Sequence, residues 1–195
     1  MADFKLTARP TLGGAHATHA NCAARETRDL TIASLAAHRS DADFEALSSA
    51  FVQAFETALP ETGKRVQAGP IVFSWAGHQQ WFANAPILKV ADLSATLNTQ
   101  LGEHAIVTDQ SGAWTEIQLR GDASRNVLER LCPLDLHPSV FPVGTCARTV
   151  MEHLGVQIAL IDDEPTFTLL TPSSSAASFW NALEHALASA CGPAI

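Results

Sequence analysis

The sequence predicts an α+β fold made of two ferredoxin-like β-α-β-β-α-β halves packed together as one integrated domain. Several short segments alternate apolar and polar residues at the period of a strand. Longer segments carry apolar residues three and four positions apart, which is the spacing of a helix. The order of elements in residues 28–110 is broadly repeated in residues 111–195, without a close sequence repeat. Residues 1–27 precede both halves.

The first half opens with a strand and a helix. Residues 29–37 alternate between large apolar and small or polar side chains, which predicts a strand. Ser40 and Asp41 are candidate N-caps for the helix that follows. Its apolar residues form one stripe, which predicts a buried face: Phe44, Leu47, Phe51, Phe55 and Leu59.

A β-hairpin, a second helix and another strand complete the first half. Residues 71–83 alternate on both sides of a turn, which predicts a hairpin with Trp75 and Trp81 near its mouth. Residues 90–101 carry the second helical stripe, and residues 104–107 predict a short strand. This is the element order of a ferredoxin-like unit.

The second half repeats this order with one long interruption. Residues 115–120 alternate and predict a strand with one solvated face, and a short helix follows. After a long loop come predicted strands at 146–154 and 156–161, joined at Gly155, and a third at 166–170. The last helix has one apolar face: Ala176, Phe179, Leu183 and Leu187.

The interruption lies within Leu131–Leu154, the least generic stretch of the chain. Three prolines fix φ here and remove three backbone donors: Pro133, Pro138 and Pro142. The residues between them are apolar and require burial: Leu134, Leu136, Val140 and Phe141. Such a stiff apolar loop packs against its own domain or against another chain, and the sequence leaves both possibilities open.

Six side chains are candidates for docking on a partner or for bracing the domain. Asp135 and Arg148 are a candidate ion pair, because a buried arginine needs a carboxylate or an anionic ligand. His137 precedes a proline, and a hydrogen bond to a carbonyl is a commoner role for a loop histidine than general base catalysis. The other three candidates are aromatic: Phe141, Trp75 and Trp81.

The composition predicts a globular protein that is poor in charge. Hydrophobic residues make up 47% of the chain and charged residues only 16%, which favours a buried partner interface. The net charge is −8 without a cluster of basic residues, so nucleic-acid binding is not expected. The sequence shows neither an apolar run of membrane-spanning length nor a secretory signal, so we expect a cytoplasmic protein.

The cysteines and histidines do not form a recognisable metal site. Four cysteines lack zinc or redox spacing and are predicted to be free thiols, mostly in the core: Cys22, Cys132, Cys146 and Cys191. His16 and His19 form an H-x-x-H pair within residues 1–27. The glycines nearby and the lack of a third ligand favour a flexible arm, extended over a partner, rather than a metal site.

Common catalytic and nucleotide-binding motifs are missing from the sequence. It contains neither a glycine-rich phosphate loop nor the serine and zinc motifs of common hydrolases. We therefore assign no catalytic, cofactor-binding or metal-ligating residue. Two classes of function remain: a structural subunit of a larger enzyme, or a small-molecule-binding enzyme whose site has no recognisable motif.

Motifs in both halves distinguish these two classes. The hairpin carries W-x-G-x-x-x-W at 75–81, and the second half carries DQS at 109–111, LCPLDL at 131–136, FP at 141–142, ART at 147–149 and SFW at 178–180. With these motifs the chain resembles the gamma subunit of heterotetrameric sarcosine oxidase. That family is similar to the N-terminal folate-binding region of glycine-cleavage T-protein, so the resemblance implies that fold.

The resemblance also implies a function and partners. It implies a complex with alpha, beta and delta subunits that oxidatively demethylates sarcosine to glycine, formaldehyde and hydrogen peroxide. Tetrahydrofolate takes up the one-carbon unit as methylene-tetrahydrofolate. FAD, FMN, NAD and tetrahydrofolate are expected on the alpha and beta subunits, and zinc on delta, so that this chain is structural and docks on alpha. The alternative is a stand-alone, folate-dependent aminomethyltransferase or folate-binding protein of the T-protein type.

Overall fold

The computed structural model describes residues 9–38 and 40–192. These residues form two antiparallel β-sheets that face each other, and two helices cover the outer face of each sheet. The predicted α+β class is therefore confirmed, as four layers in the order helix, sheet, sheet, helix. Within the described ranges, no helix is long and apolar enough to cross a membrane.

Eleven strands and four helices are found in the described residues. The strands are β1 (His16–His19), β2 (Cys22–Glu26), β3 (Leu30–Ala36), β4 (Arg65–Ala68), β5 (Ile71–Gly77), β6 (Gln80–Pro86), β7 (Ile106–Asp109), β8 (Trp114–Arg120), β9 (Cys146–Met151), β10 (Leu154–Asp162) and β11 (Thr166–Pro172). The helices are α1 (Asp41–Phe55), α2 (Leu93–Leu101), α3 (Ser124–Leu128) and α4 (Ala176–Cys191).

Each half of the sequence builds one sheet, with one addition from the N-terminus. The five-stranded sheet has the order β4-β5-β6-β3-β7, and α1 and α2 pack on it. The six-stranded sheet has the order β1-β2-β8-β11-β10-β9, and α3 and α4 pack on it. The strands β1 and β2 thus join the sheet of the second half.

The sequence predicts a flexible arm over residues 1–27, and this prediction is wrong for residues 16–26. They form the hairpin β1–β2, and β2 pairs with β8 in a register that runs from Ala23–Arg120 to Glu26–Ile117. The hairpin therefore extends a sheet of this chain. Residues 1–8 lie outside the described part of the chain.

Polar contacts, together with the burial of Cys22 and Ala24, hold this hairpin in place. The Glu26 carboxylate accepts hydrogen bonds from the backbone N–H groups of Leu12 and Gly14, at 2.9 and 2.6 Å. The His19 ring Nδ1–H donates to the carbonyl of Gly192 at 2.7 Å. These partners lie far apart in the sequence or in an irregular segment, so a local pattern does not reveal them.

The first half differs from the prediction by one extra strand. The predicted N-cap is confirmed, because Ser40 and Asp43 form a reciprocal capping box at the start of α1. The helix ends at Phe55, where Glu56 adopts a left-handed conformation. The short strand β4 was not predicted, since its four residues do not alternate clearly between apolar and polar.

The turn between β9 and β10 lies two to three residues earlier than predicted. Glu152 and His153 both have positive φ, at 49° and 64°, which is the geometry of a tight hairpin turn. Gly155 is instead a residue of β10, paired with Val150. The sequence prediction placed the turn at the glycine because glycine adopts positive φ most readily.

The proline-rich loop packs against its own domain. Leu136 and Phe141 are 3% and 4% exposed and belong to the core between the six-stranded sheet, α3 and α4. The Phe141 ring lies 6.3 Å from the Phe167 ring of β11. Val140 and Val143 point outward instead, with exposed fractions of 56% and 44%. The loop thus has a buried side and an exposed apolar side.

The predicted ion pair between Asp135 and Arg148 is wrong. Both side chains are exposed, and the one ion pair within the described ranges joins Arg120 to Glu164. Arg148 shares a face of β9 with Val150, whereas the loop covers the opposite face of the sheet, because successive residues of a strand point to opposite sides. Asp135 instead accepts a hydrogen bond from the backbone N–H of His137 at 2.9 Å.

Arg125 of α3 ties the loop to the domain. Its guanidinium donates to the carbonyl of Leu136 and lies over the Phe167 ring, with Cζ 5.4 Å from the ring centroid. The cation therefore satisfies a loop carbonyl and stacks on the same aromatic ring that contacts Phe141. The sequence contains no pattern that singles out this arginine.

Replacing Phe141 with alanine tests whether the loop is part of the core. Loss of a buried phenylalanine leaves a cavity, so we expect F141A to lower the free energy of unfolding by about 3–5 kcal/mol. The matched control V140A removes an exposed side chain of the same loop and should cost less than about 0.5 kcal/mol. Urea unfolding followed by tryptophan fluorescence measures both. Equal effects of the two variants would contradict the proposed inward packing.

Candidate functional site

The six predicted docking or bracing residues do not gather at one place. Trp81 is 3% exposed in the core of the five-stranded sheet, where its indole N–H donates to the Pro60 carbonyl at 2.8 Å. Phe141 is buried in the other core. His137 is exposed, and its Nδ1 lies 2.7 Å from the Ser139 hydroxyl. Trp75 is half-buried, and its backbone carbonyl accepts a hydrogen bond from the Gln157 side chain of the opposite sheet.

The two sheets meet through a small apolar cluster surrounded by polar side chains. Ile32, Ala76, Phe82 and Leu170 form the buried centre of this contact. Beside them lies a cavity of about 150 Å³. Its lining contains seven polar or charged side chains: Arg65, Ser74, Asn84, Glu116, Gln118, Gln157 and Thr168.

Glu116 is the buried acid of this cavity. On β8, Ile117 and Leu119 point into the core with the helices, so the alternation turns Glu116 toward the other sheet. Its Oε2 accepts a hydrogen bond from Asn84 Nδ2 of β6 at 3.1 Å. Burial raises the pKa of the Glu116 carboxyl, although the nearby Thr27 hydroxyl, the Arg65 charge and the Asn84 hydrogen bond act in the opposite direction.

Arg65 is the cation of the cavity. Burial lowers the pKa of its guanidinium, and the charge of Glu116 opposes that shift. The two groups do not form a direct ion pair, since their nitrogen and oxygen atoms lie more than 4.0 Å apart. In the part of the chain that the structure describes, the guanidinium makes no hydrogen bond. The cavity therefore contains a guanidinium and a carboxyl group that are not joined.

Gln157 of β10 supplies an unused acceptor. It is 5% exposed, and its Nε2 donates to the Trp75 carbonyl of the opposite sheet at 2.9 Å. Its Oε1 has no hydrogen-bond partner among residues 9–38 and 40–192. A buried acceptor without a partner is costly, so this atom is available to a ligand or to water.

A wider groove lies on the other side of Glu116. It encloses about 520 Å³, and its walls include Arg28, Asp29 and Trp114. Glu116 and Ile32 line both spaces. The buried carboxyl is therefore adjacent to the inner cavity and to an opening at the surface.

Most of this site was missed by the sequence analysis. The alternation of residues 115–120 predicts a strand with one solvated face, and this is wrong for Glu116, which is 8% exposed. The second sheet covers that face, and a local pattern cannot distinguish a covered polar face from a solvated one. Arg65, Asn84 and Gln157 come from three different strands that only the sheet pairing brings together.

The cysteines have the predicted structural role. All four are free; Cys22, Cys132 and Cys146 are buried, and Cys191 is partly buried. Burial raises the pKa of the Cys22 and Cys146 thiols to about 11, so both are protonated and weakly nucleophilic near neutral pH. In the described ranges, no three His, Cys, Asp or Glu side chains are arranged to hold a metal ion.

The pH dependence of stability should report the burial of Glu116. The unfolded carboxyl titrates near its ordinary pKa of 4.5, whereas the folded group keeps its proton to higher pH. Wild-type stability should therefore fall as pH rises between these two pKa values, and E116Q, which cannot ionise, should lack that loss. We expect E116Q to gain stability relative to wild type as the pH rises above the ordinary pKa of 4.5 in urea titrations. A difference that stays constant with pH would contradict the raised pKa.

Comparison with known proteins relates this architecture to one family. A family profile described as "Sarcosine oxidase, gamma subunit family" matches residues 39–189. The sarcosine oxidase subunit gamma of Corynebacterium sp. (strain P-1) is 34% identical over 112 residues, which cover 55% of this chain and 54% of that protein. The subunit gamma of Arthrobacter sp is 29% identical over 124 residues, covering 62% and 60%. The matched region thus spans little more than half the length of these relatives.

Two solved structures share the fold. A chain of the heterotetrameric sarcosine oxidase from Corynebacterium sp. U-96 superposes with a TM-score of 0.75 at 23% identity, covering 92% of this chain and 91% of that one. The glycine cleavage system aminomethyltransferase T from Bartonella henselae gives 0.64 at 13% identity, covering 85% and 46%. At these identities the likeness concerns the fold, which confirms the predicted architecture. Since the family profile spans most of the sequence, the chain belongs to the sarcosine oxidase gamma subunit family.

Proposed function

We propose that this chain is the gamma subunit of a heterotetrameric sarcosine oxidase and that its role there is structural. The family match over residues 39–189 is the observation that carries this proposal. The fold likeness to a chain of a solved heterotetramer, which is covered over 91% of its length, supports it. The partners are then alpha, beta and delta subunits in the cytoplasm.

The assembly in this proposal removes the methyl group of sarcosine oxidatively. Glycine is one product, and the one-carbon unit leaves as formaldehyde with hydrogen peroxide or is captured as methylene-tetrahydrofolate. FAD, FMN, NAD and tetrahydrofolate belong to the alpha and beta subunits, and zinc to delta. The gamma chain contributes a packed surface rather than a reacting group.

The exposed side of the proline-rich loop is our proposed docking surface, with the alpha subunit as partner. Val140 and Val143 are exposed, while Leu136 and Phe141 anchor the same loop in the core. The anchored backbone has little freedom to lose on association, which favours binding. Asp135 and His137 are exposed polar candidates for the rim of this interface, whereas Arg148 lies on the opposite face of β9.

The isolated chain should not oxidise sarcosine. We expect no sarcosine-dependent peroxide from the purified chain, and recovery of all four subunits when the chain is used as bait in its native cells. Peroxide formation by the chain alone would contradict the structural role. Calorimetry with tetrahydrofolate tests the T-protein-like alternative: binding at about micromolar concentration would favour it.

Charge substitutions test the docking surface. An aspartate at position 140 or 143 would be desolvated in the interface, so V140D and V143D should weaken association with the partner subunits by at least about tenfold. V52D is the matched control, because Val52 of α1 is 49% exposed on the helices of the other sheet. Co-purification yields and thermal unfolding of each free variant give the measurement. Equal losses for V52D and V140D would contradict docking through the loop.

A further inference from the structure

We propose that Cys22 and Cys191 form a peroxide-sensitive thiol pair, which closes into a disulfide when the chain is oxidised. Cys22 belongs to β2 of the N-terminal hairpin, and Cys191 is the last residue of α4. The link would fasten the edge of the six-stranded sheet to the end of the last helix. The pair and its chemistry rest on this chain alone, whereas a supply of peroxide from the assembly itself rests on the proposed function.

The hairpin and the C-terminal end of α4 meet at His19. In the hairpin β1–β2, His19 pairs directly with Cys22, so both side chains lie on the same face of the sheet. Both are buried, with exposed fractions of 6% and 4%. The His19 ring donates to the carbonyl of Gly192, which follows Cys191 in the sequence, at 2.7 Å. This hydrogen bond therefore holds the end of α4 beside Cys22.

The two thiols are within reach of each other. Cys22 is a buried member of the core between the six-stranded sheet and its helices, and Cys191 packs against that core. Burial is the largest cause of the raised pKa of the Cys22 thiol, and the Cys191 thiol close by raises it further. A disulfide requires its two Cβ atoms to approach to about 3.5–4.5 Å, which neighbouring side chains can reach by small rotations.

The other two cysteines serve as controls within the same chain. The Cys132 Sγ lies 4.0 Å from the Thr149 hydroxyl, and the Cys146 Sγ donates to the Lys64 carbonyl at 3.0 Å. In the described ranges, the hydrogen-bond partners of both thiols are thus oxygen atoms. Burial raises the pKa of the Cys146 thiol as well, but no second cysteine contributes to that shift.

Exposure decides which thiol reacts with peroxide first. Cys191 is partly exposed, whereas Cys22 is buried and its pKa is raised to about 11. The Cys191 thiolate therefore attacks one peroxide oxygen and the O–O bond breaks, which gives a sulfenic acid at Cys191 and one water. The Cys22 sulfur then attacks the Cys191 sulfur, the S–O bond breaks, and a second water leaves. Two thiols thus lose two electrons and two protons to one hydrogen peroxide.

The disulfide would join positions near the two ends of the described chain. A link that closes a long loop restricts the unfolded chain strongly, so oxidation should raise the thermal stability. It would also fix the N-terminal hairpin, whose local preference for a strand is weak, at the edge of its sheet. Exchange with a small thiol would reverse the link.

Peptide mapping of the oxidised chain tests the proposal. The purified full chain is reduced, treated with hydrogen peroxide and digested after its remaining thiols are blocked. We expect a cross-linked peptide pair that contains Cys22 and Cys191, and its loss after treatment with dithiothreitol. The midpoint of thermal unfolding should rise on oxidation and return on reduction. C22A and C191A should each remove both effects, whereas C132A and C146A should retain both.

A trap for sulfenic acids tests the order of the two steps. In C22A the second step is blocked, so dimedone should label Cys191 after peroxide treatment. In C191A the buried Cys22 should be labelled at least about tenfold more slowly.

Four results would each overturn the proposal. They are a wild-type chain that stays unlinked, a cross-link through Cys132 or Cys146 instead, a link that leaves the thermal midpoint unchanged, and faster labelling of Cys22 than of Cys191. The wild-type map requires no variant, so it decides the result even where a variant does not fold. All of these measurements use added peroxide and hold whether or not the chain joins an oxidase. Failure of the subunit role would remove only the proposed supply of peroxide.

Discussion

Each sheet of this chain is covered on both faces, and that constraint determines most of the structure. The outer faces pack on helices and carry the large apolar side chains, such as Ile117 and Leu119 on β8. The inner faces meet each other, where only a small apolar cluster makes a dry contact. Polar side chains at this inner contact must therefore find partners across the gap or carry the cost of burial.

Two hydrogen bonds across the gap show how part of that cost is offset. Asn84 donates to Glu116, and Gln157 donates to the carbonyl of Trp75, so each sheet supplies one donor to the other. Buried hydrogen bonds of this kind fix the relative orientation of two layers more specifically than apolar contact does. Two polar groups that line the cavity have no hydrogen-bond partner within the described ranges: Oε1 of Gln157 and the Arg65 guanidinium.

Local sequence patterns predicted the outer faces of the sheets well and the inner faces poorly. The α1 stripe up to Phe55, the capping residue Ser40 and the alternation of β5 are local signals that the structure confirms. Leu59, the last residue of the predicted stripe, lies beyond the end of α1. Glu116 is buried because the five-stranded sheet, built from a different part of the sequence, covers it. The alternation of residues within β8 cannot show that this second sheet is there. The predicted pairing of Asp135 with Arg148 failed for a similar reason. The two residues are close in sequence, but Arg148 points to the face of β9 that lies opposite the loop.

The N-terminal hairpin shows a second limit of pattern reading. Its residues are small or polar and alternate weakly, so their local preference for a strand is low. Pairing with β8 and hydrogen bonds from Glu26 and His19 supply the order that propensity does not. Tertiary contacts can thus override a weak local preference at the edge of a sheet.

Half-buried Arg65 and buried Glu116 on the inner faces have a desolvation cost that the fold alone does not require. Apolar residues at positions 65 and 116 would pack the two sheets without desolvating a guanidinium and a carboxyl group, and such replacements are often stabilising. Glu116 offsets part of that cost through its hydrogen bond from Asn84 of the other sheet, whereas the Arg65 guanidinium makes no hydrogen bond within the described ranges. The fold instead brings a guanidinium from one sheet and a carboxyl group from the other to a shared cavity without joining them in an ion pair.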